Sequence, residues 1–182
     1  MFKPHIYALT IAVYGILDIL IQKNKKSIIS LKSKDRTYLP ILLTFILTLA
    51  AVPVEYINLH KSASWPLMIT GISICALATF VRVKGHLDLK HGFSTRIEMH
   101  EKQKLVTTGI YTMIRHPMYL AIILLLAGAC IMLKALYSWI FVVINFYTLQ
   151  IRIKKEEEFL MANFPEYPEY MKKTYKLFPF LY

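Results

Sequence analysis

Residues 105–119, LVTTGIYTMIRHPMY, form the most specific pattern in the chain. Arg115 and His116 stand directly before Pro117, and a long apolar run begins there. Proline is favoured at the first position of a helix, because its missing N–H would be unpaired there anyway. The free N–H groups and positive dipole end of such a helix attract an anion, which would also balance the charge of Arg115. The pattern therefore predicts an anion site at the mouth of a helix.

The composition is that of a membrane protein. Of 182 residues, 56% are hydrophobic and only 18% are charged, which is far from the average of soluble domains. The length suits one domain, and we treat 1–182 as a single membrane domain. The two cysteines, Cys75 and Cys130, lie inside apolar runs and indicate neither a disulfide scaffold nor a zinc site.

Five apolar runs have about the ~17–25 residues that a membrane-spanning helix needs. They cover residues 6–22, 39–59, 65–83, 117–133 and 135–151. No small-residue cleavage site follows the first run, so we interpret it as a mature helix and not a signal peptide. The predicted fold is all-α and integral to the membrane, with about five transmembrane helices. Asp18 and Glu55 lie near the ends of their runs, where we expect them to reach the membrane interface.

The basic residues predict the orientation of the chain. Of the 22 lysines and arginines, 19 lie within 23–36, 82–115 and 152–176, on alternate connections. By the positive-inside rule the N-terminus is outside, and the C-terminus and the site are cytoplasmic. The net charge of +11 therefore indicates membrane topology and contact with anionic lipid, not nucleic-acid binding.

The fourth and fifth runs are separated by little more than Lys134, which predicts a tight antiparallel hairpin. The hairpin brings the start of one helix beside the end of the other, where 152–160 reads RIKKEEEFL. Arg152 and Glu156 are one turn apart on one face, while Glu157 points about 100° further round. In this pair the cation, Arg152, precedes the acid, Glu156, and this order stabilises a helix less than the reverse order. Helix stability alone therefore explains residues 152–160 poorly.

Together these motifs resemble the isoprenylcysteine carboxyl methyltransferase family. Residues 105–119 match its LVxxGxYxxxRHPxY pattern, and Arg152, Glu156 and Glu157 match its RxxxEE element. An F…YxxY stretch follows at 164–170, but the family has a glycine after the phenylalanine and one more residue before the last tyrosine. Pro165 and Pro168 make this segment stiffer and shorter here.

The resemblance implies S-adenosylmethionine as cofactor, held without a glycine-rich strand–turn–helix. Its pocket would be closed by a catalytic loop, 84–116, and a C-terminal segment, 152–182, which are too short to fold alone. The implied cofactor-binding residues are Lys104, Leu105, Val106, Gly109, Tyr111, Arg115, His116, Pro117, Tyr119 and Glu157. His116 suits the methionine carboxylate, Glu157 suits the ammonium or the ribose hydroxyls, and the two tyrosines suit the adenine or the sulfonium.

The reaction implied is O-methylation of a carboxylate on a lipid-like thioether, with Arg152 and Glu156 as catalytic residues. The substrate tail would enter between helices from the bilayer. One alternative is methyl transfer to a phospholipid amine or a small thiol, with Glu156 or Glu157 as general base. Others are a nicotinamide-dependent sterol-type reductase, a small transporter subunit and a non-catalytic scaffold. His86, His91 and His100 share a loop with acidic residues, but no ligand spacing indicates a metal.

Overall fold

The structure, a computed structural model, describes residues 3–23, 37–59, 62–89 and 105–179, and within them the chain is helical. The helices are α1 (Lys3–Lys23), α2 (Tyr38–Asn58), α3 (Trp65–Leu89), α4 (Pro117–Met132), α5 (Trp139–Asn163) and α6 (Tyr167–Lys173), with a 3₁₀ turn at Gly109–Thr112. In these ranges the only extended pairing is one parallel bridge between Ile114 and Tyr175. Each of the five apolar runs forms a helix, so the all-α prediction is confirmed.

The first three helices are long and apolar enough to cross a membrane, through Pro4–Ile21, Tyr38–Asn58 and Trp65–Leu89. Helix α4 is equally apolar but has 16 residues. Helix α5 has 25 residues, of which the last part is the charged RIKKEEE block. These helices make the chain an integral membrane protein, and the number of five crossings stays a prediction.

Helices α3 and α4 pack against each other at very short range because small residues face one another. A Cβ on Gly71 would lie 2.7 Å from the Gly128 carbonyl oxygen, and one on Gly128 would lie 2.8 Å from Cys75 Sγ. Small residues of this kind let membrane helices approach closely. The surrounding core includes Met68 and Leu125, both fully buried, and this pair of helices is the centre of the bundle.

Glu55 is buried and hydrogen-bonded to the start of α5, and its position at the membrane interface stays a prediction. Its carboxylate accepts bonds from the Tyr137 N–H at 3.1 Å, the Ser138 N–H at 2.8 Å and the Ser138 hydroxyl at 2.7 Å. N–H groups at the start of a helix lack partners within the helix and favour a negative charge. The Glu55 carboxylate supplies both the missing hydrogen-bond acceptors and the negative charge.

Asp18 is likewise paired with residues of another helix, and its position at the membrane interface stays a prediction. Its oxygens accept from Arg82 Nε at 2.7 Å and from Arg82 Nη2 at 3.2 Å. The ring of His86, which is fully buried, lies 3.4 Å from Asp18 Oδ1. Buried charges persist when they are paired and hydrogen-bonded, and this cluster joins α1 to α3.

Two helix boundaries differ clearly from the predicted ones, and one helix was not predicted. Helix α3 continues to Leu89 and so takes in the first six residues of the predicted loop 84–116. Helix α5 begins at Trp139, not at 135, because Lys134 has φ +55° and the Ala135 N–H donates to the Cys130 carbonyl to form the hairpin turn. Helix α6 was not predicted from its proline-rich sequence.

One end of the bundle collects the polar residues; we call it the polar end. It is formed where α1 and α3 end, where α2 and α4 begin, and by the charged part of α5. Contacts between Asp18 and Arg82, between Arg152 and Thr37, and between Arg115 and Glu157 hold these pieces together. The predicted antiparallel hairpin, with its two polar clusters side by side, is confirmed.

Candidate active site

The loop before α4 is anchored to the end of α3 by Asp88. Its Oδ2 accepts the Ile110 N–H at 2.7 Å, while its Oδ1 pairs with Lys84 Nζ at 2.8 Å. Gly109 has φ +64°, and a Cβ there would lie 2.1 Å from Asp88 Oδ2. Only glycine adopts this conformation without strain. The glycine of the motif therefore fits both the turn and the carboxylate beside it.

The next turn of the loop is held between α3 and α6. Tyr111 is buried, and its hydroxyl donates weakly to the Gly85 carbonyl at 3.4 Å. The Tyr170 hydroxyl donates to the Tyr111 carbonyl at 2.7 Å. Burial raises the pKa of Tyr170 to about 12, so the phenol stays a donor. Of the strip predicted to line the pocket, Leu105 and Val106 are half-buried.

The predicted site residue Lys104 lies outside the described residues. The segment just before α4 forms backbone hydrogen bonds with the C-terminal segment. The Arg115 N–H donates to the Tyr175 carbonyl at 2.8 Å and the His116 N–H to the Lys176 carbonyl at 3.2 Å. The two segments predicted to pack on each other therefore do so through backbone hydrogen bonds.

Arg115, His116 and Glu157 form a compact buried cluster. Glu157 Oε1 lies 2.9 Å from Arg115 Nε and 3.3 Å from His116 Nε2, and all three side chains are at most 8% exposed. Arg115 Nη1 also donates to the carbonyl of Met171 at 3.0 Å and to the carbonyl of Thr174. A carboxylate of the chain itself therefore lies beside Arg115, and the predicted anion site at the N–H groups of the helix start stays a prediction.

The carboxylate of Glu157 is held ionised by its neighbours. Burial by itself would raise its pKa, but the hydrogen bonds and positive charges of His116 and Arg115 outweigh burial and lower the pKa below the usual range. Both bonds use Oε1; Oε2 accepts none from the residues that the structure describes. One oxygen is therefore available to a ligand that carries an N–H or O–H group.

His116 occupies the position directly before α4, with Pro117 at its start, as predicted. Its side chain does not cap the helix; instead the ring stacks on Tyr119, with centroids 5.6 Å apart and planes inclined by 22°. The ring is fixed by this stacking and by Glu157. His116 therefore does not act as a helix cap, a role that histidine commonly has at this position.

Tyr119 joins the two predicted catalytic residues. Its hydroxyl donates to Glu156 Oε2 at 2.6 Å and accepts from Arg152 Nε at 2.8 Å. Arg152 Nη1 reaches the Thr37 hydroxyl, at the start of α2, at 3.1 Å. Arg152 and Glu156 thus share one face of α5 while Glu157 faces Arg115, which confirms the separation of faces expected from helical periodicity.

Three residues of the site were missed or assigned elsewhere. Asp88 was considered only as part of a metal loop, although its spacing from Lys84 is that of a helical ion pair. Thr37 and Thr174 carry no motif, and no sequence signal would have found them. Their contacts depend on which helix ends meet, which only the packing decides.

The fold and this cluster define a class: a helical membrane protein with a buried site of arginine, histidine and glutamate at one end of its bundle. The sequence profile of the isoprenylcysteine carboxyl methyltransferase family matches residues 70–162, more than half of the chain. The chain belongs to that family. The matched region contains the loop, α4 and the charged part of α5, and so all three residues of the cluster.

Several proteins of other organisms are also similar to this chain. The chain is 28% identical over 121 residues to the probable protein-S-isoprenylcysteine O-methyltransferases of Oryza sativa subsp. indica and subsp. japonica. The alignment covers 64% of this chain and 63% of each rice protein. The chain is also 33% identical over 84 residues to the cobalt-zinc-cadmium resistance protein CzcN of Cupriavidus metallidurans, covering 46% of this chain and 39% of that protein.

Proposed function

We propose that this protein is an S-adenosylmethionine-dependent membrane methyltransferase that O-methylates the carboxylate of a lipid-like, isoprenylcysteine-type substrate. The observation that supports this most directly is the buried cluster of Arg115, His116 and Glu157. It joins the two sequence elements that resemble the family at one end of the bundle. The name of the rice relatives, probable protein-S-isoprenylcysteine O-methyltransferase, supports the same reaction.

The residues of the polar end fit the proposed cofactor chemically. When bound, S-adenosylmethionine supplies an electrophilic methyl group on a sulfonium. In our proposal His116 holds its carboxylate and Glu157 Oε2 holds its ammonium or a ribose hydroxyl. The strip Lys104, Leu105 and Val106 and the side chains of Tyr111 and Tyr119 would line the remainder of the pocket.

The proposed reaction requires little acid–base catalysis from the protein. A substrate carboxylate is already anionic near pH 7, so the protein would align it with the methyl group and exclude water. Arg152 is our candidate for holding that carboxylate, because its planar fork matches the group bidentately. Tyr119 and Glu156 would orient Arg152 through the phenol that bridges them.

The substrate tail in this proposal reaches the site from the bilayer. Many of the large side chains on α1 and α2 are exposed and apolar, among them Leu9, Ile19, Leu43 and Ile57. Such faces suit contact with lipid. A prenyl-like chain would share that environment while its polar head enters the polar end.

The test is labelled methyl transfer in membranes that contain the protein, followed by mild alkali. Transfer to a farnesylcysteine-type acceptor with release of the label by alkali is expected, because methyl esters hydrolyse in base. Lys155→Ala, an exposed position on the same helix, serves as the control and should retain activity. Base-stable label would contradict ester formation and indicate N- or S-methylation.

The second candidate, methylation of a phospholipid amine or a thiol, needs a base to remove a proton. Glu156 is the residue we would assign to that step, since its carboxylate already accepts the Tyr119 hydroxyl at 2.6 Å. Glu156→Gln separates the candidates. It should abolish transfer to an amine, whereas a carboxylate acceptor should lose only the orientation of Arg152 and keep measurable turnover.

A further inference from the structure

Tyr167, the first residue of α6, carries a buried hydroxyl that the proposed mechanism does not use. The residue is 1% exposed, and its hydroxyl makes no hydrogen bond to any part of the chain that the structure describes. Tyr170, one turn later, is different: its hydroxyl donates to the Tyr111 carbonyl at 2.7 Å. The two rings lie 5.7 Å apart, so similar surroundings leave one phenol bonded and the other not.

A buried hydroxyl without a partner is destabilising, and such groups are rare in folded proteins. The charges of Glu157, Arg115 and Glu156, residues of the candidate site, act on this hydroxyl, and Arg115 also contacts α6 directly through the Met171 carbonyl. Burial, the largest effect, raises the pKa of Tyr167 well above its ordinary value, so the phenol keeps its proton. It can therefore both donate and accept. A ligand bound beside Glu157 could therefore form a hydrogen bond with the Tyr167 hydroxyl.

We infer that the Tyr167 hydroxyl is a ligand-binding group of the cofactor site, and that it bonds an ammonium or hydroxyl group of the ligand beside Glu157. The inference rests on the proposed function. Two carboxylates near the phenol disfavour a ligand anion there, whereas an N–H or O–H group satisfies both the phenol oxygen and Glu157 Oε2. In S-adenosylmethionine the methionine ammonium and the ribose hydroxyls have this chemistry.

The experiment compares Tyr167→Phe with Tyr170→Phe in the full-length protein in detergent, each losing only a hydroxyl. Binding of S-adenosylhomocysteine is measured by calorimetry, and Tm is measured without ligand. Tyr167→Phe should keep or raise Tm, since an unpaired buried hydroxyl is removed, yet weaken affinity by roughly 3- to 10-fold, as one lost hydrogen bond does. Tyr170→Phe loses a bond already made and should lower Tm.

Two additions sharpen the result. Tyr147→Phe, whose side chain is exposed on α5, should change neither quantity. Repeating the measurement with 5′-methylthioadenosine, which lacks the amino-acid part, distinguishes the two ligand groups. A loss of affinity that persists assigns Tyr167 to a ribose hydroxyl, and one that disappears assigns it to the ammonium.

Two outcomes overturn the inference and leave the proposed function intact. One is wild-type affinity for S-adenosylhomocysteine in Tyr167→Phe. The other is a fall of Tm as large as in Tyr170→Phe, which would mean that the hydroxyl is already bonded within the protein. If the wild-type protein itself bound no S-adenosylhomocysteine, the proposed function would fail as well, so the two failures are distinguishable.

Discussion

Glu157 is the residue on which the candidate site depends, because one of its oxygens contacts two side chains of the loop before α4. Arg115 and His116 both contact Oε1, and all three side chains are buried. Removing one member of a buried ion pair leaves the other charge without compensation, which costs far more than losing an exposed pair. The side chains of Arg115 and His116 are therefore both held by a single carboxylate of α5.

Glu157→Gln keeps the size of the side chain but removes its charge. We expect cofactor binding to be impaired before turnover, and the free energy of unfolding to fall by about 1.5–3 kcal/mol, as for a lost charge-assisted hydrogen bond. Glu158→Gln, at an exposed position next in the chain, is the matched control. Calorimetry and thermal unfolding of both variants check the prediction, and equal behaviour of the two would contradict it.

The same carboxylate predicts a pH dependence. Its pKa is lowered in the folded protein, so its contribution to stability is present above the unfolded value of about 4.3 and is lost as pH falls through the folded pKa. As the pH is lowered below about 5, the Tm of the wild-type protein should therefore fall more steeply than the Tm of Glu157→Gln. Parallel curves for the two proteins would show that Glu157 contributes no such linkage.

Arg152→Lys tests the other face of α5. The change keeps the charge but loses the planar fork and the Nε–H that donates to Tyr119. We expect cofactor affinity to stay near the wild-type value while turnover falls by about 10-fold or more, because methyl transfer depends on alignment at the ångström level. Steady-state kinetics with calorimetry measure both, and reduced cofactor affinity with normal turnover would reverse the assignment of the faces.

At the scale of elements, α3 positions the loop that carries the arginine and the histidine. Asp88 binds the loop at Ile110 and leaves no space for a side chain at Gly109. Gly85 receives the Tyr111 hydroxyl one turn earlier. The end of α3 is therefore the base on which the turn before α4 is built, although α3 itself contributes no residue to the cluster.

Gly109→Ala should disturb this base. A Cβ would meet Asp88 Oδ2 at 2.1 Å at a positive φ, and the left-handed backbone alone costs about 1–2 kcal/mol for a non-glycine residue. We expect a fall in Tm and in cofactor affinity. Gly15→Ala in α1, where a Cβ meets nothing within 4 Å, is the control and should leave both unchanged or raise Tm slightly.

At the scale of the whole molecule, the helix ends alternate between two sides of the bundle. The Tyr7 hydroxyl bonds the Leu49 carbonyl, and Glu55 bonds Ser138, at the side opposite the polar end. The connections that carry most of the basic residues therefore leave from the polar end. This agrees with a single cytoplasmic face for the basic segments, although which side of a membrane that face occupies stays a prediction.

Reporter fusions test that orientation. Fusions at Lys34 and at Glu101 should both be cytoplasmic and one at Lys61 external; all three positions lie outside the described residues. The expected result follows from the distribution of lysine and arginine over the connections. A cytoplasmic reporter at Lys61 would contradict the topology of five crossings.

The sequence by itself determined the five apolar helices, the family and the two motifs that meet at the candidate site. Apolar runs near the length of a membrane span form helices in lipid because backbone polar groups must be satisfied within the segment. The RHP motif and the RxxxEE block were visible as local patterns, and the short connection at Lys134 already brought them together. The separation of Glu156 from Glu157 followed from helical geometry alone.

Only the tertiary structure decided what each charged residue meets. Packing gave Asp18 and Glu55 partners that are distant in sequence, Arg82 on α3 and Ser138 at the start of α5. Asp88 acquired its role from the approach of a loop 22 residues away, and Tyr167 its uncommitted hydroxyl from the fold of the C-terminal segment. Such roles depend on contacts between helix ends, and periodicity describes only one helix at a time.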